Sequence, residues 1–411
     1  MPASVGRRCE PAPDRLVVAP AAERVRLIRM SLRCLIVERI RSSGPITVAD
    51  YMRMALYEPG LGYYAARTVR SGREGDFYTS VDVGPLFGEL LSVQLRQMWQ
   101  LLGSPDRMTL VEAGAGNGRL ARDVLQAIVA TDPAFYDAID LALVETSGPA
   151  RAEQISTLGA HAERLSFSGD TMPPRWTGVL LCNELFDALP THAVLMTTDG
   201  LREILVGVGG PNDDELVEVV ASPTTPALAA YLGAVGVQLE PGWRAEVNLE
   251  AIDWMQTNAR AMARGFVIAI DYGHLAHELY GAAHAAGTLT SYRLHQGEAA
   301  SERPRRAAWL TDPGDRDLTS HADFSSIRAA AEAEGLTTLG LLDQTYFLLG
   351  LGLAERVARE TGDARQDLKR RMAAKTLMLP GGLGSSHKVL LLGKDVGTPT
   401  LLGCSQGGRL T

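Results

Sequence analysis

Cysteine is scarce in this chain. The four present, Cys9, Cys34, Cys182 and Cys404, never form a CxxC pair. That excludes the common zinc-ribbon and thioredoxin-like signatures and suits a reducing compartment. Cys182 sits in the apolar run GVLLCNELF, where it reads as a small buried thiol and not as a nucleophile. Long apolar runs are also missing. None approaches the roughly 20 residues that a bilayer-crossing helix needs, so no membrane span is expected. The first 30 residues carry several Arg alongside Glu10, Asp14 and Glu23 and lack a secretory apolar segment. Cytoplasm is the expected location, or the mitochondrial matrix for a eukaryotic source. Lysine is nearly absent, four of 40 basic residues, which reads as genome composition. Positive charge is in deficit, with a net charge of -8. A chain so balanced has no broad basic face for nucleic acid, yet it still admits a small basic group such as an arginine side chain on a partner protein.

What is present is ample material for a core. At 411 residues, 46% apolar and 21% charged, the chain is long enough for two or three structural units and needs no metal or disulfide for stability. Residues 1–20, rich in Pro, Ala and Arg, read as a flexible lead-in. Helical spacing of Val25, Ile28, Leu32, Leu35, Ile36 and Ile40 predicts a helix that SSGP stops. Thr47 is placed to cap a second helix through Leu56. The aperiodic stretch from Glu58 to Ser80 is too aromatic for disorder and reads as a functional loop. Residues 21–105 are thus expected as a helical region bearing a lid loop.

From 106 to 395 apolar strands alternate with helices: MTLVEAG, DLALVET, RLSFSGD, GVLLCNEL, GFVIAIDYG, LTTLGLLDQ and HKVLLLGK are the strands. Such alternation predicts an α/β fold with a largely parallel sheet covered on both faces. Residues 190–247 read as an insertion between the fourth and fifth strands, 346–378 as a helical insertion, and 396–411 as a flexible tail.

The strongest local motif is LVEAGAGNGRL, a strand that ends at Glu112 and runs through Gly114, Gly116 and Gly118 into a helix. Glycine there permits positive φ and close ligand approach. A dinucleotide fingerprint would need glycine at position 119, which is Arg119. The spacing G-x-G-x-G after an acidic residue fits S-adenosylmethionine better, because that cofactor has no phosphates to cradle. Glu145, at the end of the next strand, is placed to accept hydrogen bonds from ribose hydroxyls; the alternative is a solvated strand-end carboxylate. Asp170 reads either as a contact for the adenine amino group or as an ordinary turn aspartate. In NELFDALP, Asn183, Glu184 and Asp187 fall at the carboxyl edge, where open α/β sheets bind ligands. They are the candidate catalytic residues, against the alternative that Asn183 caps a turn and Glu184 is merely exposed. Asp271 and Tyr272 lie at the same edge. His274 and His277 have helix-neighbour spacing but no evident third partner, so they read as surface histidines and no metal is expected. Asp317 and His321 either face the cleft or organise a loop.

Taken together, YEPGLGYY, GDFYTS, FGELL, LVEAGAGNGRLARDVL, LLCNELFDALP, IDYGH, GTLTSYRLHQ, DPGDRDLTSHADF and TYFLLGLG resemble the MidA-like class I methyltransferases, from about Tyr51 to Gly352. That family includes the mitochondrial complex I assembly methyltransferase, which methylates an arginine on a respiratory-complex subunit. The resemblance implies a Rossmann-like seven-stranded sheet whose last strand inserts antiparallel, with an N-terminal helical extension. It also implies a cleft for S-adenosyl-L-methionine formed by Glu112, Gly114, Gly116, Gly118 and Glu145. The segment Asp76 to Ser80, including Thr79 and Ser80, would close over that cleft, with NELFDALP on the substrate side. Where the family carries Pro-Glu after Thr-Ser, this chain has Val81 and Asp82, a carboxylate one carbon shorter. The expected activity is methyl transfer to a protein arginine nitrogen. The competing readings are a cofactor-binding assembly scaffold without turnover, a small-molecule methyltransferase, and a nicotinamide-dependent oxidoreductase. Oligomeric state, including a homodimer, is left open.

Overall fold

Seven apolar segments become the strands β1 (Met108–Ala113), β2 (Ile139–Val144), β3 (Leu165–Gly169), β4 (Trp176–Asn183), β5 (Met262–His274), β6 (Thr337–Asp343) and β7 (His387–Lys394). The computed structural model describes residues 31–66, 80–211, 214–293, 296–297, 307–359, 362–378 and 383–406. In space the strands run β6-β7-β5-β4-β1-β2-β3. Pairing is parallel from β5 through β3, and β7 is antiparallel to both of its neighbours. The two-residue strand Ala322–Asp323 adds to the end of β5. The order reverses at β1, which makes the carboxyl ends of β1 and β4 the crevice where such sheets take ligands.

Alternate side chains of each strand leave by opposite faces. Ile268 and Ile270 of β5 join one apolar core, while Val267 and Ala269 join another. In chain order the longer helices are α1 (Leu32–Ser43) and α2 (Val48–Tyr57), which lie on a second sheet, and then α3 (Leu86–Leu101), α4 (Arg119–Thr131), α5 (Gly148–Leu158), α6 (Leu249–Ala261) and α7 (Phe324–Ala333), which cover these faces. α3 and α4 supply the first core with Leu91 and Val124; α6 and α7 supply the second with Met255 and Ile327. Thr47 caps α2 by accepting the Asp50 N–H, as its sequence position predicts.

Residues 192–247 form most of a second, antiparallel sheet, in which Ile46–Thr47 from between α1 and α2 is the edge strand. Apolar residues of α1 and α2 pack on it with Ala193, Ile204 and Val206 in a core of its own. This brings the N-terminal helices over the carboxyl edge of the main sheet.

Two expectations fail. The strand expected to begin at Gly265 begins three residues earlier as β5, because Met262 pairs with Trp176. The described part of the supposed flexible tail, up to residue 406, is fastened. Leu401 is buried, and the Leu402 and Gly403 N–H groups donate to Gln97 and Gln94 of α3 at 2.8 and 2.9 Å.

Candidate active site

A cleft of about 1090 Å³ opens at the carboxyl edge of β1 and β4. It is larger than the roughly 300–1,000 Å³ typical of small-molecule sites, so a ligand of cofactor size leaves room for an acceptor group. Glu112, Gly114, Gly116, Glu145, Asp170, Asn183, Glu184 and Asp187 all border it. Gly118 does not. Its φ of 84° starts α4, and a Cβ there would lie 3.2 Å from Leu143, so this glycine serves the packing of helix on strand. Thr79, like the rest of 67–79, lies outside the described residues.

The glycine loop is held by two side chains, one behind it and one at the edge of the cleft. Gln154 of α5 donates to the Gly116 carbonyl at 2.9 Å. Glu145 accepts from the Gly116 N–H at 2.9 Å and the Ser147 N–H at 2.7 Å. Gly114 and Gly116 have φ of 72° and 53°, values L side chains rarely adopt. A Cβ on Gly116 would meet no protein atom within 4 Å; a side chain there would project into open space and not into the fold. Beneath the loop, the Glu112 carboxyl is buried, and its Oε2 has no hydrogen-bond partner. Burial, with Glu145 and Asp123 nearby adding and the Ala121 N–H opposing, pushes its pKa up to about 8.

On the opposite wall, Glu184 sits in the left-handed region at φ 53°. A non-glycine residue there is uncommon, and the surroundings must hold it. The holder is Asp271, fully buried at the end of β5, whose Oδ2 accepts the Leu185 and Phe186 N–H groups at 2.9 and 2.6 Å. Asn248, ahead of α6, donates to the Phe186 and Leu189 carbonyls. Asp271 is therefore a positioning group beneath the turn and not a cleft-lining one. The Glu184 carboxylate accepts the Ser80 N–H at 3.2 Å, and His387 Nε2 is 3.6 Å away. Ser80 itself is buried, its hydroxyl on Gln344. Asp82 pairs with Arg119 of α4 at 2.7 Å, tying the residues just after Ser80 to the helix that follows the glycine loop. Asp187 is pushed well above the ordinary aspartate range by burial and by the neighbouring Asp271, Glu184 and Asp317 carboxylates.

Sequence reading missed the roof of the site. Tyr57 of α2 donates to the Ala188 carbonyl at 2.9 Å, and Tyr64 donates to Asp317 at 2.8 Å; both rings, and Asp317, border the cleft. Asp317, left undecided from sequence, faces the site, whereas His321 does not line it. His387 could have been found. An antiparallel β7 begins at the carboxyl edge, and His387 opens that strand opposite Tyr272. The histidines read as surface residues also divide. His277 is exposed, while His274 is half-buried beside His284 and His321.

Residues 90–342 match the family model described as "Putative S-adenosyl-L-methionine-dependent methyltransferase". The chain belongs to this family. As a family member it is an S-adenosylmethionine-dependent methyltransferase of the MidA-like group, and it is 31% identical to the Drosophila melanogaster protein named "Protein arginine methyltransferase NDUFAF7 homolog, mitochondrial", over 75% of this chain and 72% of that one. The Bos taurus protein named "Protein arginine methyltransferase NDUFAF7, mitochondrial" is also 31% identical, over 78% and 73%. A Burkholderia thailandensis structure titled a likely methyl transferase, bound to S-adenosyl-homocysteine, superposes with a TM-score of 0.81 at 29% identity and covers 92% of this methyltransferase and 95% of its own chain. The cofactor is accordingly S-adenosylmethionine, and the nicotinamide reading falls. Among the described residues no helix of the methyltransferase is long and apolar enough to cross a membrane.

Proposed function

We propose that this methyltransferase modifies an arginine nitrogen on a partner protein, and that the residues bordering the cleft divide into a cofactor wall and an acceptor wall. The observation that carries the reading is the charge of the cleft. Glu184, Asp187, Glu250, Asp253 and Asp317 border its acceptor side against Arg53, a surround suited to a guanidinium that stays protonated in water. The relatives named as arginine methyltransferases support the same acceptor class.

On the cofactor wall, the unpartnered Oε2 of Glu112 and the bare backbone at Gly116 fit the amino-acid end of S-adenosylmethionine. Glu145 is suited to the ribose hydroxyls and Asp170 to the adenine amino group. The bound cofactor supplies an electrophilic methyl group on a sulfonium. Glu184 and Asp187 grip the acceptor guanidinium, fix one nitrogen in line with that methyl, and draw its positive charge away from the attacking atom. Asn183, which donates to Glu184 at 3.4 Å, steadies the carboxylate. Asp187, whose burial and crowding by carboxylates raise its proton affinity, gives up its own proton to solvent as the guanidinium docks beside it and then accepts the one that the methylated nitrogen sheds. The gain in rate comes chiefly from orientation, and the reaction itself asks nothing of a metal.

The test is to incubate purified enzyme and tritiated S-adenosylmethionine with dialysed cell extract, then hydrolyse the labelled band. Label in methylated arginine is expected. Glu184→Gln should bind S-adenosylhomocysteine within about twofold of wild type yet lose at least ~100-fold in turnover. Label confined to small molecules, or full turnover in Glu184→Gln, refutes the proposal.

A further inference from the structure

Three histidines meet on the acceptor flank of the sheet, outside the cleft. His274 ends β5, His284 closes the short turn Ala282–His284, and His321 sits between the strands Asp317–Thr319 and Ala322–Asp323. One ring nitrogen from each lies within 4.8 Å of the other two. The ring centres are 4.7 Å apart for His274 and His284, 5.3 Å for His274 and His321, and 5.7 Å for His284 and His321. All three are half-buried, shielded from bulk water but reachable by a small ion.

The hydrogen bonds around the rings follow the pattern of a ligand set. The His284 Nδ1 is 3.0 Å from the Glu278 carbonyl. A carbonyl only accepts, so Nδ1 carries the proton and Nε2 keeps its lone pair. The His274 Nδ1 is 3.5 Å from the Glu278 carboxylate, a partner that favours the same tautomer. His321 has a buried Nδ1 with no hydrogen-bond partner. Metal-bound imidazoles characteristically give their second N–H to a carboxylate or backbone carbonyl, and buried ring nitrogens without partners are rare in cores that bind nothing.

We propose that His274, His284 and His321 bind one divalent transition-metal ion of the zinc class. Glu278 holds two of the rings in the ligating tautomer, and water fills the fourth position. Imidazole donors suit zinc, cobalt, nickel and copper. Metal–nitrogen bonds of about 2.0–2.1 Å in tetrahedral array put the nitrogens about 3.4 Å apart, so the triad closes by side-chain rotation of little more than an ångström. The ion would clasp the end of β5 to the 282–284 turn and to the link that carries Asp317 and Thr319 into the cleft. Its role is thus to brace the acceptor wall and not to take part in methyl transfer. Tyr272, whose ring centre is 5.9 Å from His321 and 4.2 Å from His387, stands between the triad and the acceptor wall.

The test uses the full-length protein, stripped with a chelator and titrated with Co²⁺. One equivalent should bind, give the visible absorption of four-coordinate cobalt, and be displaced by Zn²⁺. His284→Ala and His321→Ala should each weaken Co²⁺ binding at least tenfold, while His277→Ala, in the same segment but exposed, should leave it unchanged. Retained binding of S-adenosylhomocysteine in every variant separates metal loss from unfolding, and it does not depend on which acceptor the enzyme uses. Absence of a saturable one-equivalent phase, or wild-type Co²⁺ affinity in either histidine variant, overturns the proposal.

Discussion

Glu112 concentrates an electrostatic cost in the free enzyme. Its carboxyl ionises at about 8 when folded, against an ordinary value of 4.5, because burial withholds water from the charged form. The sign follows from linkage. The unfolded chain loses this proton near 4.5 and the folded one near 8, so stability present below that window is lost as pH rises through it, by at most about 5 kcal/mol. A cationic ammonium beside Oε2 favours the ionised form, so binding the cofactor should expel the proton. Affinity for S-adenosylmethionine should therefore strengthen by up to about tenfold per pH unit below about 8 and level off above it. Glu112→Gln, which has no proton to lose, should flatten most of that slope. Isothermal titration across pH 6 to 9 reads both. A wild-type curve no steeper than that of the glutamine variant would place the ammonium elsewhere.

At the scale of elements, the turn after β4 is built by its neighbour. Glu184 occupies a backbone region disfavoured for its side chain, and the Asp271 carboxylate on β5 compensates by taking two consecutive N–H groups. Asp271→Ala leaves both donors buried without a partner, which costs about 3 kcal/mol or more, and frees Glu184 to leave its pose. Urea denaturation should show that loss, and turnover should fall further than cofactor affinity does. Asp271→Asn, which keeps one acceptor oxygen, should recover part of each. An alanine variant as stable as wild type would mean the turn stands by itself. The same turn marks what sequence makes legible. GAGNG, Glu145 and NELFD lie at ends of adjacent parallel strands, and strand alternation alone brings such ends to one edge. Gly118 packs a helix on a strand and does not border the cleft; glycine spacing does not say which glycine faces the ligand and which faces a helix. Tyr64 is 253 residues from the Asp317 it bonds, and His274, His284 and His321 meet only after the chain closes, so no local pattern announces them.

Across the whole molecule, two sheets share one cleft. The main sheet delivers the glycine loop and Glu184, and the N-terminal helices, seated on the second sheet, deliver Tyr57 and Tyr64. Both phenols are pushed well above their ordinary range, first by burial and then by Asp317, so they stay neutral donors and leave the negative charge to the carboxylates. A chain of net charge -8 that gathers carboxylates around its acceptor wall should attract a basic substrate over a distance. Salt screens such attraction, since the Debye length falls from about 14 Å at 50 mM to about 6 Å at 300 mM. KM for an arginine-bearing acceptor peptide should accordingly rise severalfold over that range. S-adenosylhomocysteine has balanced charges, so its affinity should change less than twofold and serve as the internal reference. Glu250, which borders the cleft and pairs with Arg53 at 2.7 Å, offers a second handle. Glu250→Gln should raise KM and reduce its dependence on salt without altering S-adenosylhomocysteine affinity. Steady-state kinetics at several ionic strengths measures each of these, and a KM indifferent to salt would show that the acceptor enters uncharged, against a guanidinium substrate.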